Sequence, residues 1–93
     1  MEKLRKLEQV SDIHEVNRKA MLLHLNEVHP SSQKRFKYMV FDGEMMRHFG
    51  DINYEDYTRH LDEDRRSRFR KRNRQWINAR KYTPAWLSYN LLW

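Results

Sequence analysis

Apolar residues recur at spacings of three and four through Leu4, Leu7, Val10, Ile13, Val16, Ala20 and Leu23, with Glu, Lys, Arg and Asn between them. That period lays one apolar stripe along a helix and predicts a helix over 2–28. Asp12 followed by Glu15 has the spacing of a capping box, which admits a break near Ser11. Pro30 and the polar run Ser31-Ser32-Gln33 end the element. The period then becomes two. Phe36, Tyr38 and Val40 alternate with Arg35, Lys37 and Met39, and Asp42-Gly43 is the pair favoured in a two-residue type I′ turn. A β-hairpin is predicted over 34–50, with Val40 opposite Met45, Tyr38 opposite Arg47 and Phe36 opposite Phe49. An isolated hairpin is marginal in water, so its apolar face must pack on something else.

Gly50 through Thr58 reads as a loop rich in tyrosine and acid, and a second helix is predicted from Leu61 to Ala79. Asp62, Glu63 and Asp64 fall in its first turn and the arginines later, an order that suits the helix dipole. Asp62–Arg66 and Asp64–Arg68 are expected as i,i+4 ion pairs. Leu61, Phe69 and Trp76, with Ile77 beside them, make only a thin apolar stripe. From Tyr82 to Trp93 no side chain is charged, and Thr83 followed by Pro84 predicts the capped start of a last helix. The expected class is α+β: an N-terminal helix, one antiparallel β-hairpin, an Arg-rich helix and a short C-terminal helix. Residues 1–33 form the N-terminal helical segment, and 34–93 hold the hairpin, the Arg-rich helix and the aromatic tail.

Ninety-three residues are enough for one domain with a modest core. With no cysteine, disulfides and thiolate metal sites are excluded, which fits a reducing compartment. No stretch approaches the roughly 18 apolar residues of a membrane span, and Met1-Glu2-Lys3-Leu4 leads into no apolar run of the signal-peptide kind. The net charge of +6 is unevenly placed. Residues 59–81 hold ten Lys/Arg against three acids, a net of +7, and the remainder nets −1. Such clustering attracts polyanions or acidic protein surfaces.

Candidates for catalysis are weak, and no enzyme activity is expected. His14, His24, His29, His48 and His60 include no H-x-x-x-H pair, and no carboxylate completes a ligand set, so neither metal nor cofactor is expected. Gly43 and Gly50 lie in no phosphate-loop pattern, and Ser11, Ser31, Ser32, Ser67 and Ser88 lack a nucleophile-elbow context. The acids at 62–64 are explained by their place in a helix first turn.

The densest signal is basic: Arg65, Arg66, Arg68, Arg70, Lys71, Arg72 and Arg74 put seven cations within ten residues. Arginine gives phosphate bidentate donors and stacks on bases, so this helix is a candidate partner or polyanion surface. A solvated face, a nuclear localisation signal and a clamp on an acidic protein remain open beside that. The aromatic residues suit either core packing or a stacking platform. Within the uncharged end, Trp86, Tyr89, Leu92 and Trp93 are the candidates for docking on a partner.

Several strings taken together resemble a known family. They are His48-Phe49-Gly50-Asp51, Tyr54-Glu55-Asp56-Tyr57-Thr58-Arg59-His60, Asp62 with Arg65, Arg66 and Arg68, Trp76, and Trp86-Leu87-Ser88-Tyr89-Asn90-Leu91-Leu92-Trp93. The family comprises small basic proteins of unknown function in nucleocytoplasmic large DNA viruses of eukaryotes. The similarity covers about residues 34–93, and Ala85 stands where that pattern usually has glycine. The resemblance implies a viral origin and a virion structural protein, a minor capsid or cementing component bound to larger capsid subunits. It implies a place in the virion and in the host cytoplasm or nucleus during infection. The alternative is a genome-associated protein that binds nucleic acid through the Arg-rich helix.

Overall fold

Ser11 and Asp12 divide the N-terminal apolar stripe into two helices, α1 (Glu2–Val10) and α2 (Ile13–Leu22). The structure is a computed structural model that describes residues 2–93. The Asp12 carboxylate accepts from the backbone N–H groups of His14 and Glu15, so it caps α2. A single helix over 2–28 is therefore replaced by two, and the second stops at Leu22. His24 takes a left-handed backbone (φ 60°), and Leu25 N–H donates back to Ala20 O at 2.9 Å, which closes the end of the helix.

The freed residues make a strand that periodicity did not reveal, β1 (Val28–Pro30). Asn17 of α2 clamps it from the side: its amide donates to Val28 O at 3.0 Å and accepts from Val28 N–H at 2.7 Å. β1 pairs antiparallel with β2 (Phe36–Phe41), and β2 pairs antiparallel with β3 (Met46–Asp51), so three strands stand where a lone hairpin was expected.

The hairpin register also differs, by two residues: Tyr38 faces Phe49, Val40 faces Arg47 and Phe36 faces Asp51. The loop is four residues long rather than two because Asp42 organises it. Its carboxylate accepts from the N–H of Glu44 (2.7 Å) and Met45 (2.9 Å) and from Arg47 Nε (2.7 Å). A shift of two keeps the pleat in phase, so Val28, Tyr38, Val40 and Phe49 still share the buried face.

A short helix, α3 (Tyr57–His60), precedes the expected Arg-rich helix over 61–79, which is itself two pieces: α4 (Glu63–Arg72) and a 3₁₀ segment (Arg74–Asn78). Leu61 in the left-handed region (φ 55°) separates α3 from α4, and Asp62 caps α4 through the N–H groups of Asp64 and Arg65. α3 occupies residues read from sequence as loop. The end of the chain follows expectation more closely. Thr83 Oγ1 accepts from Trp86 N–H at 3.2 Å, Pro84 opens α5 (Pro84–Leu87), and the helix widens into a π turn over Ser88–Leu92.

One cluster joins Leu7, Val16 and Ala20 of the helices, Val28, Tyr38, Val40 and Phe49 of the sheet, Ile52, and Leu87, Leu91 and Leu92 of the tail. Both the 1–33 and the 34–93 segments thus feed the same core. Lys37, read from its alternation as an outward charge, is instead buried with its ammonium 3.0 Å from the fully buried Asp56 carboxylate. Asp56 also accepts from Thr58 N–H at 3.0 Å and from the Thr58 hydroxyl. The Thr58 hydroxyl in turn accepts from Asp12 N–H at 2.9 Å and lies 3.2 Å from the Ser11 hydroxyl. Asp56 N–H donates to Val10 O at 2.9 Å. This network locks the α1–α2 corner to β2 and α3. Burial lowers the Lys37 pKa, with the Asp56 charge opposing the shift.

Candidate functional site

α4 contributes no buried residue to the core, so side chains of intermediate exposure must hold it to the body. Phe69 supplies the main contact: its ring stacks on Trp93 with centroids 4.2 Å apart and planes 7° from parallel, and meets Trp76 edge-on at 5.8 Å. Trp93 is further held by the His60 ring at 5.3 Å. Burial, followed by the nearby Arg65 charge, lowers the His60 pKa. His60 Nδ1 accepts from Asp62 N–H at 2.9 Å, a bond that requires the unprotonated nitrogen.

The seven cations do not form one equivalent surface. Arg70 donates to Trp93 O at 2.9 Å and lies over the Tyr89 ring at 5.0 Å. Arg66 lies 4.8 Å over the Tyr57 ring and reaches Glu63 at 3.5 Å. Arg65 pairs with Glu55 at 2.8 Å. The expected pairs Asp62–Arg66 and Asp64–Arg68 are not made: Asp62 is turned back onto the N–H groups of its own helix, and Arg66 takes Glu63 instead. Three of the seven are thus occupied within the chain. Arg68, Lys71, Arg72 and Arg74 are exposed, and among the described residues none has a carboxylate within 4 Å. These four are the free charge.

The docking set divides similarly. Leu92 and Tyr89 are buried in the chain's own interior, so the structure corrects the expectation that they present themselves to a partner. The reason is the packing of α5 and the π turn after it, which brings Leu87, Leu91 and Leu92 into one core cluster with Phe49. A Cβ on Gly50 would meet Leu92 Cδ1 at 2.9 Å, which shows how closely the tail lies on β3. Trp86 and Trp93 pack against the same core while remaining partly exposed.

Between α4, the 3₁₀ segment, the tail and the loop after β3 lies a cleft of about 400 Å³. Arg65, Arg68 and Arg72 edge it from one face of α4, Phe69, Trp76 and Trp93 give it aromatic walls, and Tyr54 stands exposed beside it. Asp51 and Glu55 border it on the side of the β3 loop. The sequence held a signal for this grouping: 65, 68, 72 and 76 are three or four apart and therefore share a helical face. Tyr54 carried no such signal, because its place depends on the path of a loop. Among the described residues no three of His, Asp or Glu converge in a way that could hold a metal ion, and no helix is long and apolar enough to cross a membrane.

Residues 27–73 match a family model described as "Family of unknown function (DUF5754)", a stretch running from the start of the sheet through α4. No curated protein and no solved structure matches the chain.

Proposed function

This chain belongs to that family of unknown function, which lends it no activity, and we propose that it is a non-catalytic module that binds the phosphate backbone of nucleic acid through the exposed cations of α4 and of the turn that follows it. The observation that carries this reading is the set Arg68, Lys71, Arg72 and Arg74, exposed within seven residues and without carboxylate partners among the described residues. Four free cations within seven residues present dense positive charge to a polyanion, and each phosphate neutralised releases a counterion. Arg66 and Arg70, engaged with Tyr57 and Tyr89, hold the helix in place and leave the contact itself to their neighbours.

The test is fluorescence anisotropy of labelled DNA against salt. Log affinity should fall with log salt at a slope of roughly −3 to −4, as about four phosphate contacts require. Arg72→Ala should flatten that slope by about one unit, whereas Arg66→Ala should leave the slope nearly unchanged and lower thermal stability. Binding that is absent, or indifferent to salt, would overturn the reading.

A second reading is a minor capsid or cementing component of a large DNA virus, supported by the resemblance to viral proteins. One observation favours it: Phe41, Met45 and Met46 crowd exposed apolar surface at the hairpin tip. It requires the protein at fixed stoichiometry with a major capsid subunit in purified particles, and its absence from particles would end that reading.

A further inference from the structure

We infer that the cleft beside α4 takes one unpaired nucleotide, with its phosphate on Arg68 and Arg72 and its base against Trp76 and Tyr54, so that the protein prefers single-stranded to duplex nucleic acid. This rests on the nucleic-acid reading above and adds which form of the polymer is bound. The free charge divides between two sides: Arg68 and Arg72 of α4 edge the cleft, while Lys71 of α4 and Arg74 of the 3₁₀ segment border a separate, more open depression. A purely electrostatic surface needs no aromatic floor. Here one adjoins the arginines, with Trp76 and Trp93 half-buried and Tyr54 68% exposed, although tyrosine at such exposure gains little from the fold. The volume of about 400 Å³ falls within the roughly 300–1,000 Å³ of pockets that hold small organic groups.

Geometry selects the single strand. Bases in a duplex are stacked and paired and offer only edges, whereas Trp76 and Trp93 are half-buried in the cleft and are met by a base turned out of its stack. Asp51 and Glu55 border the far side of the cleft. The Asp51 charge repels phosphate from that side and Glu55 holds Arg65, which leaves Arg68 and Arg72 as the cations open to phosphate.

The experiment compares a labelled DNA strand of about 12 nucleotides with its own duplex, by anisotropy against the full chain and its Trp76→Ala and Tyr54→Ala variants. The wild-type chain should bind the strand about tenfold more tightly than the duplex, and the variants should lose most of that preference while keeping their duplex affinity. Salt-sensitive binding of both forms with no preference, or a preference unchanged in both variants, overturns this inference and leaves the nucleic-acid reading standing. Absence of salt-sensitive binding to either form sinks both. Should Trp76→Ala fail to fold by circular dichroism, the exposed Tyr54→Ala decides alone.

Discussion

Lys37 is the residue whose surroundings decide most about local stability. Its ammonium and the Asp56 carboxylate are both withdrawn from water, and each offsets the other's desolvation. Lys37→Met would leave a buried carboxylate with only the Thr58 donors. We expect it to cost about 3–5 kcal/mol, read as a fall in the urea midpoint at constant m-value. Asp42 sets a different, pH-dependent contribution. Its hydrogen bonds from Met45 N–H, the Arg47 side chain and Glu44 N–H hold its pKa down from 3.8 to about 2. A carboxyl depressed on folding stabilises the native state above its unfolded pKa, and that stability is lost as pH falls through the folded value. Thermal midpoints should therefore decline between about pH 4 and pH 2, and Asp42→Ala should remove this part of the decline. That Lys37 would be buried was not legible locally, because its partner lies 19 residues away.

At the scale of elements, α4 is weakly attached. Its caps and dipole complement are good, with Asp62 at the N-cap and Arg70, Lys71 and Arg72 in the last turn, yet it buries nothing of its own. Tertiary packing supplies most helical stability in proteins, so α4 depends on the Phe69–Trp93 stack and on Arg66 and Arg70 lying over tyrosine rings. Phe69→Ala should speed amide hydrogen exchange across 63–72 by about tenfold or more while β2 and β3 stay protected. Uniform acceleration over the whole chain would instead mean that α4 opens only with global unfolding. The four-residue loop after β2 and the strand β1 show the limit of periodicity for elements: an Asp carboxylate widens one, and a two-point bond from Asn17 recruits the other.

For the molecule as a whole, the tail is part of the fold. Leu91 and Leu92 are essentially buried beside Leu87, Val16 and Phe49, and truncating one such leucine to alanine typically costs about 2–5 kcal/mol. A domain of this size has about 5–15 kcal/mol in total. Deleting Leu91 through Trp93 should abolish the cooperative thermal transition seen by circular dichroism. A tail that merely docked on a neighbour would leave that transition intact. The same self-docking leaves the free positive charge of the α4 segment, rather than the tail's apolar side chains, as what the molecule presents outward.

Properties that depend on residues within a turn of each other were determined by the sequence itself: the α+β class, the caps at Asp12 and Thr83, the shared buried face of Tyr38 and Val40 and the crowding of positive charge in one segment. Capping, periodicity and charge density are local, and local pattern suffices to specify them. Only the tertiary structure decided the hairpin register, the third strand, the burial of Lys37 and which arginines are left free. Those outcomes turn on partners brought close by the path of the chain, such as Arg70 and Trp93 at 23 residues' separation. A cation's availability depends on whether the fold has already supplied it with a ring, a carbonyl or a carboxylate.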